Sequence, residues 1–276
     1  MKKLLILSLG LAAFAGCSSN ADGPKRVDED SLKDRASFCK AWAEAACNED
    51  VVDACQAADQ ESCVAAQKAY CTNLVPPGYK STRAEECISA VERAYSDSDL
   101  NKAELDLVLH LSGDCSHLVE GASGVGSSCS QSTDCNTVKG YSCVIKAGNQ
   151  EGTCQIPKLQ GPGEPCDEPA QVCDTGAYCA GSADDGYNCL VTKAQGKACT
   201  YDAMCDLSDL CDFSASTDDG VTGKCAPKLE RNDTCDPANS AQCASGICLQ
   251  GSTKAACADS VRLTFGSPAC VDLGGA

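Results

Sequence analysis

Cys39, Cys47, Cys55, Cys63 and Cys71 stand at intervals of eight residues, and no other feature restricts the fold of this chain so tightly. Eight residues is just over two helical turns, a rise of ~12 Å, so successive cysteines stay on roughly one side of a helix. If two antiparallel helices flank a bend near residue 55, cysteines whose numbers have equal sums face each other: Cys39 with Cys71, and Cys47 with Cys63. Cys87 and Cys115 can staple a second hairpin across a bend near Asp97 to Asp99. Residues 32–119 hold seven cysteines, so one must pair outside them, and Cys55 is left over. Its expected partner is Cys270, the odd cysteine of the second half. Spacing alone does not fix connectivity, so these four pairs are expectations.

The same region has helical periodicity. Ser31 and Asp34 form a capping-box-like pair, and Leu32, Ala36, Cys39, Ala43 and Cys47 follow at helical intervals. Cys63, Ala66, Tyr70 and Leu74 repeat the pattern, with a short helix or turn over 48–55 between them. Pro76, Pro77 and Gly78 break the chain. Thr82 and Glu85 are expected to open a third helix, with Ala84, Cys87, Val91 and Tyr95 on one face. A fourth lies within residues 96–113 and stops at Gly113. Phe38 and Trp42, four apart, belong to the core, since aromatic residues are only 4% of the chain. Asp97, Asp99 and Asn101 alternate as in a calcium loop. However, Lys102 stands where an EF-hand needs Gly and Val108 where it needs a bidentate Glu, so a capping turn is expected there. His110 and His117 read as half-buried helix residues rather than ligands.

Beyond residue 124 the chain repeats itself. Four units cover about 126–157, 163–192, 196–228 and 232–258, with four cysteines in each. The three gaps within a unit run 5 to 7, 4 to 7 and 8 to 13 residues, and three units open with Gly three residues before the first cysteine. The longest gap carries Asp-Gly, Asn and Gly turn residues, which signal a small hairpin with a cysteine on each strand. A unit of this size cannot build an apolar core, so disulfides must replace it. Three connectivities are open, of which first–third with second–fourth is favoured. Tandem units of this kind read as an extended rod.

Twenty-five cysteines in 276 residues, with few aromatics, is the composition of a disulfide scaffold in an oxidising compartment. No CxxC occurs, which argues against zinc ribbons, iron–sulfur clusters and thioredoxin-like redox centres. No metal or cofactor ligand is assigned. Setting Cys17 aside leaves an even 24.

Cys17 has a different setting. Lys2 and Lys3 precede an apolar run, Leu4 to Ala15, that reads as a secretory signal over residues 1–16 and is too short to span a bilayer. Ala15 and Gly16 directly before Cys17 resemble the lipobox of bacterial lipoproteins, although Phe14 stands where Leu is usual. The resemblance implies acylation of Cys17, an anchor of several acyl chains in the bilayer, and, with Ser18 next, sorting to the outer membrane, on a face the sequence leaves open. Residues 17–31 are polar and read as a tether. Without residues 1–16 the chain keeps 20 basic against 39 acidic side chains, a net charge of −19. Such a chain is repelled by nucleic acid and anionic surfaces.

The repeats, through Gly163, Cys166, Cys173, Tyr178-Cys179, Gly186 and Cys189 with their counterparts, resemble the Dickkopf N-terminal cysteine-rich module, and more loosely EB and EGF-like modules. Signal, stapled helices and repeats together are similar to the cysteine-rich lipoproteins of myxobacteria. No contact set of the Dickkopf module is matched, so no residue role is carried over. The expected architecture is therefore α plus small disulfide-rich modules: stapled helical hairpins over 32–119, then four tandem β-hairpin repeats and a C-terminal segment with Cys270 within 124–276.

Catalytic motifs fail residue by residue. Gly121 and Ser123 begin a G-x-S-x-G pattern, but Val125 ends it. Asp184-Asp185 and Asp218-Asp219 sit in expected turns, not in a cleft that would split their acidities. No catalytic residue is assigned. The expected role is a non-enzymatic envelope lipoprotein that binds or scaffolds a protein or glycan partner. An inhibitor or ligand acting through one cysteine-framed loop is the alternative, and an enzyme of unknown type the remote one.

Overall fold

The structure, a computed structural model, describes residues 32–146, 149–182, 184–214, 222–251, 253–266 and 270. Five helices come first: α1 (Arg35–Ala46), α2 (Glu49–Cys55), α3 (Gln60–Leu74), α4 (Ala84–Ala94) and α5 (Lys102–His110). Their starts follow local hydrogen-bond chemistry. Asp34 accepts the Ser37 N–H at 2.8 Å and caps α1, and Asp59 accepts the Ser62 N–H at 2.7 Å at the head of α3. The capping box of α1 is thus Asp34 with Ser37, one turn beyond the Ser31–Asp34 pairing expected, and Ser31 itself lies outside the described residues. Neither Thr82 nor Glu85 caps α4. Its N-cap is Arg83 in the left-handed region, φ 59°, with no side-chain cap bond. Asn101 and Glu104 cap α5 reciprocally, and that helix ends at left-handed Leu111, φ 51°, ahead of the expected stop at Gly113.

α1 and α3 lie antiparallel, because Cys39 is bonded to Cys71 and Cys47 to Cys63. Cys87 of α4 is bonded to Cys115. Phe38, Trp42, Val51, Val75, Val91 and Tyr95 fill the interior between these staples. Phe38 stacks obliquely on Trp42 and on Tyr79, with ring centroids 6.2 and 5.0 Å apart. No helix among the described residues is long and apolar enough to cross a membrane.

One short strand, β1 (Asp99–Leu100), precedes α5. Small sheets follow: β2 (Ser128–Cys129), β3 (Ser142–Val144) and β4 (Gly152–Gln155), then β5 (Lys158–Gln160) beside β6 (Gln171–Cys173), then the hairpin of β7 (Ala177–Ser182) and β8 (Gly186–Val191). Strands β9 (Ala198–Cys199), β10 (Asp209–Asp212) and β11 (Gly223–Pro227) form a further sheet, and β12 (Cys248–Gln250) pairs with β13 (Ala255–Cys257). In each group of four cysteines the first is bonded to the third and the second to the fourth. The third and fourth cysteines sit directly opposite on antiparallel strands, as in Cys143 with Cys154 and Cys179 with Cys189. Buried side chains in this half are mostly the cysteines themselves, so crossed disulfides take the place of a hydrocarbon core.

The backbone of these groups recurs bond for bond. Gly126, Gly163, Gly196 and Asn232, each three residues before a first cysteine, all have positive φ: 81°, 87°, 82° and 71°. Each donates its N–H to the carbonyl of its group's fourth cysteine, at 2.9, 2.7, 2.7 and 2.9 Å. Three residues earlier, Ser123, Gln160, Lys193 and Leu229 each run parallel to the second cysteine of the next group.

The array is not the free rod expected from tandem units. Past β13, strand β14 (Val261–Arg262) returns to the helices and pairs with β1, Leu263 is buried among the helical core residues, and Cys270 is bonded to Cys55. Both ends of the hairpin array are therefore held by the helical region.

Candidate functional site

Where the helices meet the first hairpin there is a cleft of about 560 Å³. Three segments build it: the end of α3 with Asn73, Leu74 and Pro76, the end of α5 with Leu109 to Gly113, and the turn Gln131 to Asp134. Each wall has a local cause. Val75 precedes Pro76 and is extended, φ −82° and ψ 111°, as a residue before proline prefers, so α3 must stop there. Gly78 then reverses the chain at φ +105°, and a Cβ on it would lie 2.7 Å from the Glu120 carbonyl oxygen. Glu120 N–H donates to the Gly78 carbonyl at 2.8 Å, and Lys80 N–H to that of Leu118 at the same distance. These bonds carry the chain across to the first hairpin.

The turn wall is fixed by Asp134. Its carboxylate accepts the Ser130 N–H at 2.9 Å and the Gln131 N–H at 3.1 Å. The Ser130 bond above all holds its pKa below the usual carboxylate value. Thr137, buried beneath the junction, bonds both backbone groups of Val119, donating to the carbonyl at 2.7 Å and accepting the N–H at 3.2 Å. His117 Nδ1 lies 3.1 Å from the Thr137 carbonyl, which can only accept, so this ring nitrogen carries the proton. His117 is thus a joint residue between the two regions. His110 is exposed at the wall of the cleft. It is not the half-buried residue expected, because α5 ends there and turns its last side chain outward.

The other singled-out residues are used by the chain itself. Asp97 accepts the Asp99 N–H at 3.2 Å, Asp99 accepts the Ser260 hydroxyl at 3.3 Å, and Asn101 accepts the Ala103 and Glu104 N–H groups. Ser123 pairs with Cys135 as isolated bridge residues. Asp185 closes its own turn with Ser182. Sulfurs of Cys129, Cys135 and Cys154, and three similar trios, gather within 4.8 Å. All of them are in disulfides, and such a sulfur has no thiolate to offer a metal. Cys17 and Asp218-Asp219 lie outside the described residues.

Two sets of joint residues carried no sequence signal. Lys146 donates to the Cys166 carbonyl at 3.1 Å and to that of Gln171, so it ties the first hairpin to the next group. Burial lowers its pKa, and Asp167 partly offsets that. Tyr201 donates to the Cys179 carbonyl at 3.1 Å and meets Tyr178 edge-on at 6.2 Å, while Lys193 Nζ sits 6.0 Å over the Tyr178 ring. These contacts join residues 15 to 25 apart in sequence, where no periodicity points. No protein-family model, curated protein or solved structure matches the chain.

Proposed function

We propose that this is an exported lipoprotein of the bacterial cell envelope, held by acyl chains on Cys17, that binds or scaffolds a partner and does not catalyse. Its second half is read as four copies of one two-bridge hairpin unit, similar to the Dickkopf-type module. The observation that carries the reading is the disulfide inventory: all 24 cysteines beyond Cys17 are bonded in pairs. Bridges at this density persist in an oxidising compartment, and the complete set leaves Cys17 as the free thiol for an anchor. The repeated left-handed residue and its bond to the fourth cysteine support a single unit used four times. Of the carboxylates with lowered pKa, Asp34 and Asp59 cap helices, Asp134 caps a turn and Glu120 pairs with Lys80, which suits a scaffold rather than acid–base chemistry. The cleft between helices and first hairpin is a binding site by size and position, since ligand sites favour such junctions.

Metabolic labelling with palmitate in cells that export the full chain tests the anchor. The wild-type chain is expected to take up label and stay with the membrane. Cys17→Ala is expected to lose the label and appear in the soluble fraction. A Cys17→Ala chain that remains labelled and membrane-bound would overturn the reading.

A further inference from the structure

We infer that the cleft between the ends of α3 and α5 and the turn 131–134 takes a lysine or arginine side chain of a partner polypeptide. This deepens the binding reading above and rests on it.

Two helix C-termini meet at one cleft, and that sets its electrostatics. The last carbonyls of a helix have no intrahelical donor and carry roughly half a negative charge between them. In α3, the carbonyl of Asn73 would receive the N–H of residue 77, but Pro77 has none. In α5, Leu111 N–H makes the ordinary helical bond to Leu107, and Ser112 N–H turns back to the Asp106 carbonyl rather than to that of Val108, which accepts the Tyr70 hydroxyl at 2.7 Å instead. Among the described residues, no hydrogen bond reaches the carbonyls of Asn73, Leu74, Leu109 or His110. The lining therefore includes four helix-end residues whose carbonyls have no protein donor among the described residues.

The Arg35 guanidinium reaches one last-turn carbonyl of α3, that of Thr72, outside the lining, and His110 is the one basic side chain on the walls. No lysine or arginine lines the cleft, and Asp134, its one carboxylate, stands on the facing wall. Leu74, Pro76, Leu109 and Leu111 supply an apolar surface beside these acceptors. An alkyl stem that ends in a cation matches this pairing, because lysine and arginine bury their methylenes while the charged head keeps polar partners. A bare divalent ion has no use for the apolar wall. The net charge of −17 draws basic partners toward the whole molecule.

The test is nuclear magnetic resonance of the oxidised, detergent-solubilised full chain titrated with hexalysine. Saturable shifts are expected at the backbone amides of Leu109–Gly113 and Gln131–Asp134. Thr133→Lys, which puts an ammonium of the chain's own into the cleft, is expected to weaken hexalysine binding at least tenfold. Thr133→Gln, of similar bulk without charge, is expected to bind within twofold of wild type, which separates competition from misfolding. Shifts scattered over exposed acidic side chains, equal binding by the Lys and Gln variants, or the same shifts from calcium chloride at matched ionic strength would each overturn the cleft assignment. Each of these would leave the Cys17 anchor untouched, so failure here is distinct from failure of the envelope reading.

Discussion

Gln67 lies fully buried on the inner face of α3, and its side-chain oxygen accepts the Trp42 indole N–H at 3.2 Å. A buried indole N–H needs a partner, and Trp42 is the largest fully buried side chain of the core. Truncating Gln67 would open a cavity and strand the indole donor together. Gln67→Ala is therefore expected to cost about 2–4 kcal/mol, read as a lower urea midpoint of the oxidised protein with unchanged slope. Gln67→Met, which fills the space and loses only the bond, is expected to cost less. Equal midpoints for wild type and Gln67→Ala would show that the indole bond carries no weight. Position 67 shows what a pattern of apolar residues misses. The apolar stripe of α3 in the sequence runs through Cys63, Ala66, Tyr70 and Leu74, whereas the buried line is Cys63, Gln67 and Cys71. A glutamine scores as surface until the residue facing it is known.

Four of the five helix starts, all but that of α4, are set by side chains that hold backbone N–H groups. The Ser37 N–H bond to Asp34 and the Ser62 N–H bond to Asp59 lower the pKa of both caps. A carboxylate lowered in the folded state lends stability that is fully present above its unfolded pKa and fades as pH falls through the folded value. The helical signal is therefore expected to weaken on acidification below about pH 4. Asp34→Asn with Asp59→Asn, which caps but does not titrate there, is expected to show a shallower acid limb in circular dichroism at fixed temperature. Superimposable acid limbs would rule out these caps as the source. The existence of the helices was legible from cysteine interval and turn residues. Their boundaries were less so, since Ser31 and Asp34, or Thr82 and Arg83, compete over a few residues and the tertiary fit decides.

At the scale of the whole molecule, the Cys55–Cys270 bond spans 215 residues and closes the hairpin array onto the helices. The Asp99–Arg262 and Leu100–Val261 pairs and buried Leu263 lie beside it. A bridge across so long a loop removes much unfolded-state freedom, on the order of 4–5 kcal/mol if the loop were otherwise unconstrained. Nine other bridges lie within that loop and already shorten it, so the double variant Cys55→Ser with Cys270→Ser is expected to lose less than this. Its melting temperature should fall while the separate hairpins stay oxidised. Small-angle scattering should show a larger radius of gyration as the end of the array comes free. An unchanged radius would mean that β14 and Leu263 hold the closure without the bridge.

Sequence by itself determined the disulfide scaffold, because cysteine intervals are counted along the chain and a hairpin of this size has nothing else to bury. Parity alone separated Cys17 from the rest, and turn residues alone marked the hairpins. Tertiary structure decided that the array closes on itself rather than running out as a rod, since Leu263 and Val261 look like any short apolar stretch until Leu100 and Asp99 are beside them. It also decided the cleft. Three segments between residues 73 and 134 share no motif, and they line one cleft only because Pro76 and left-handed Leu111 end two helices at the same place.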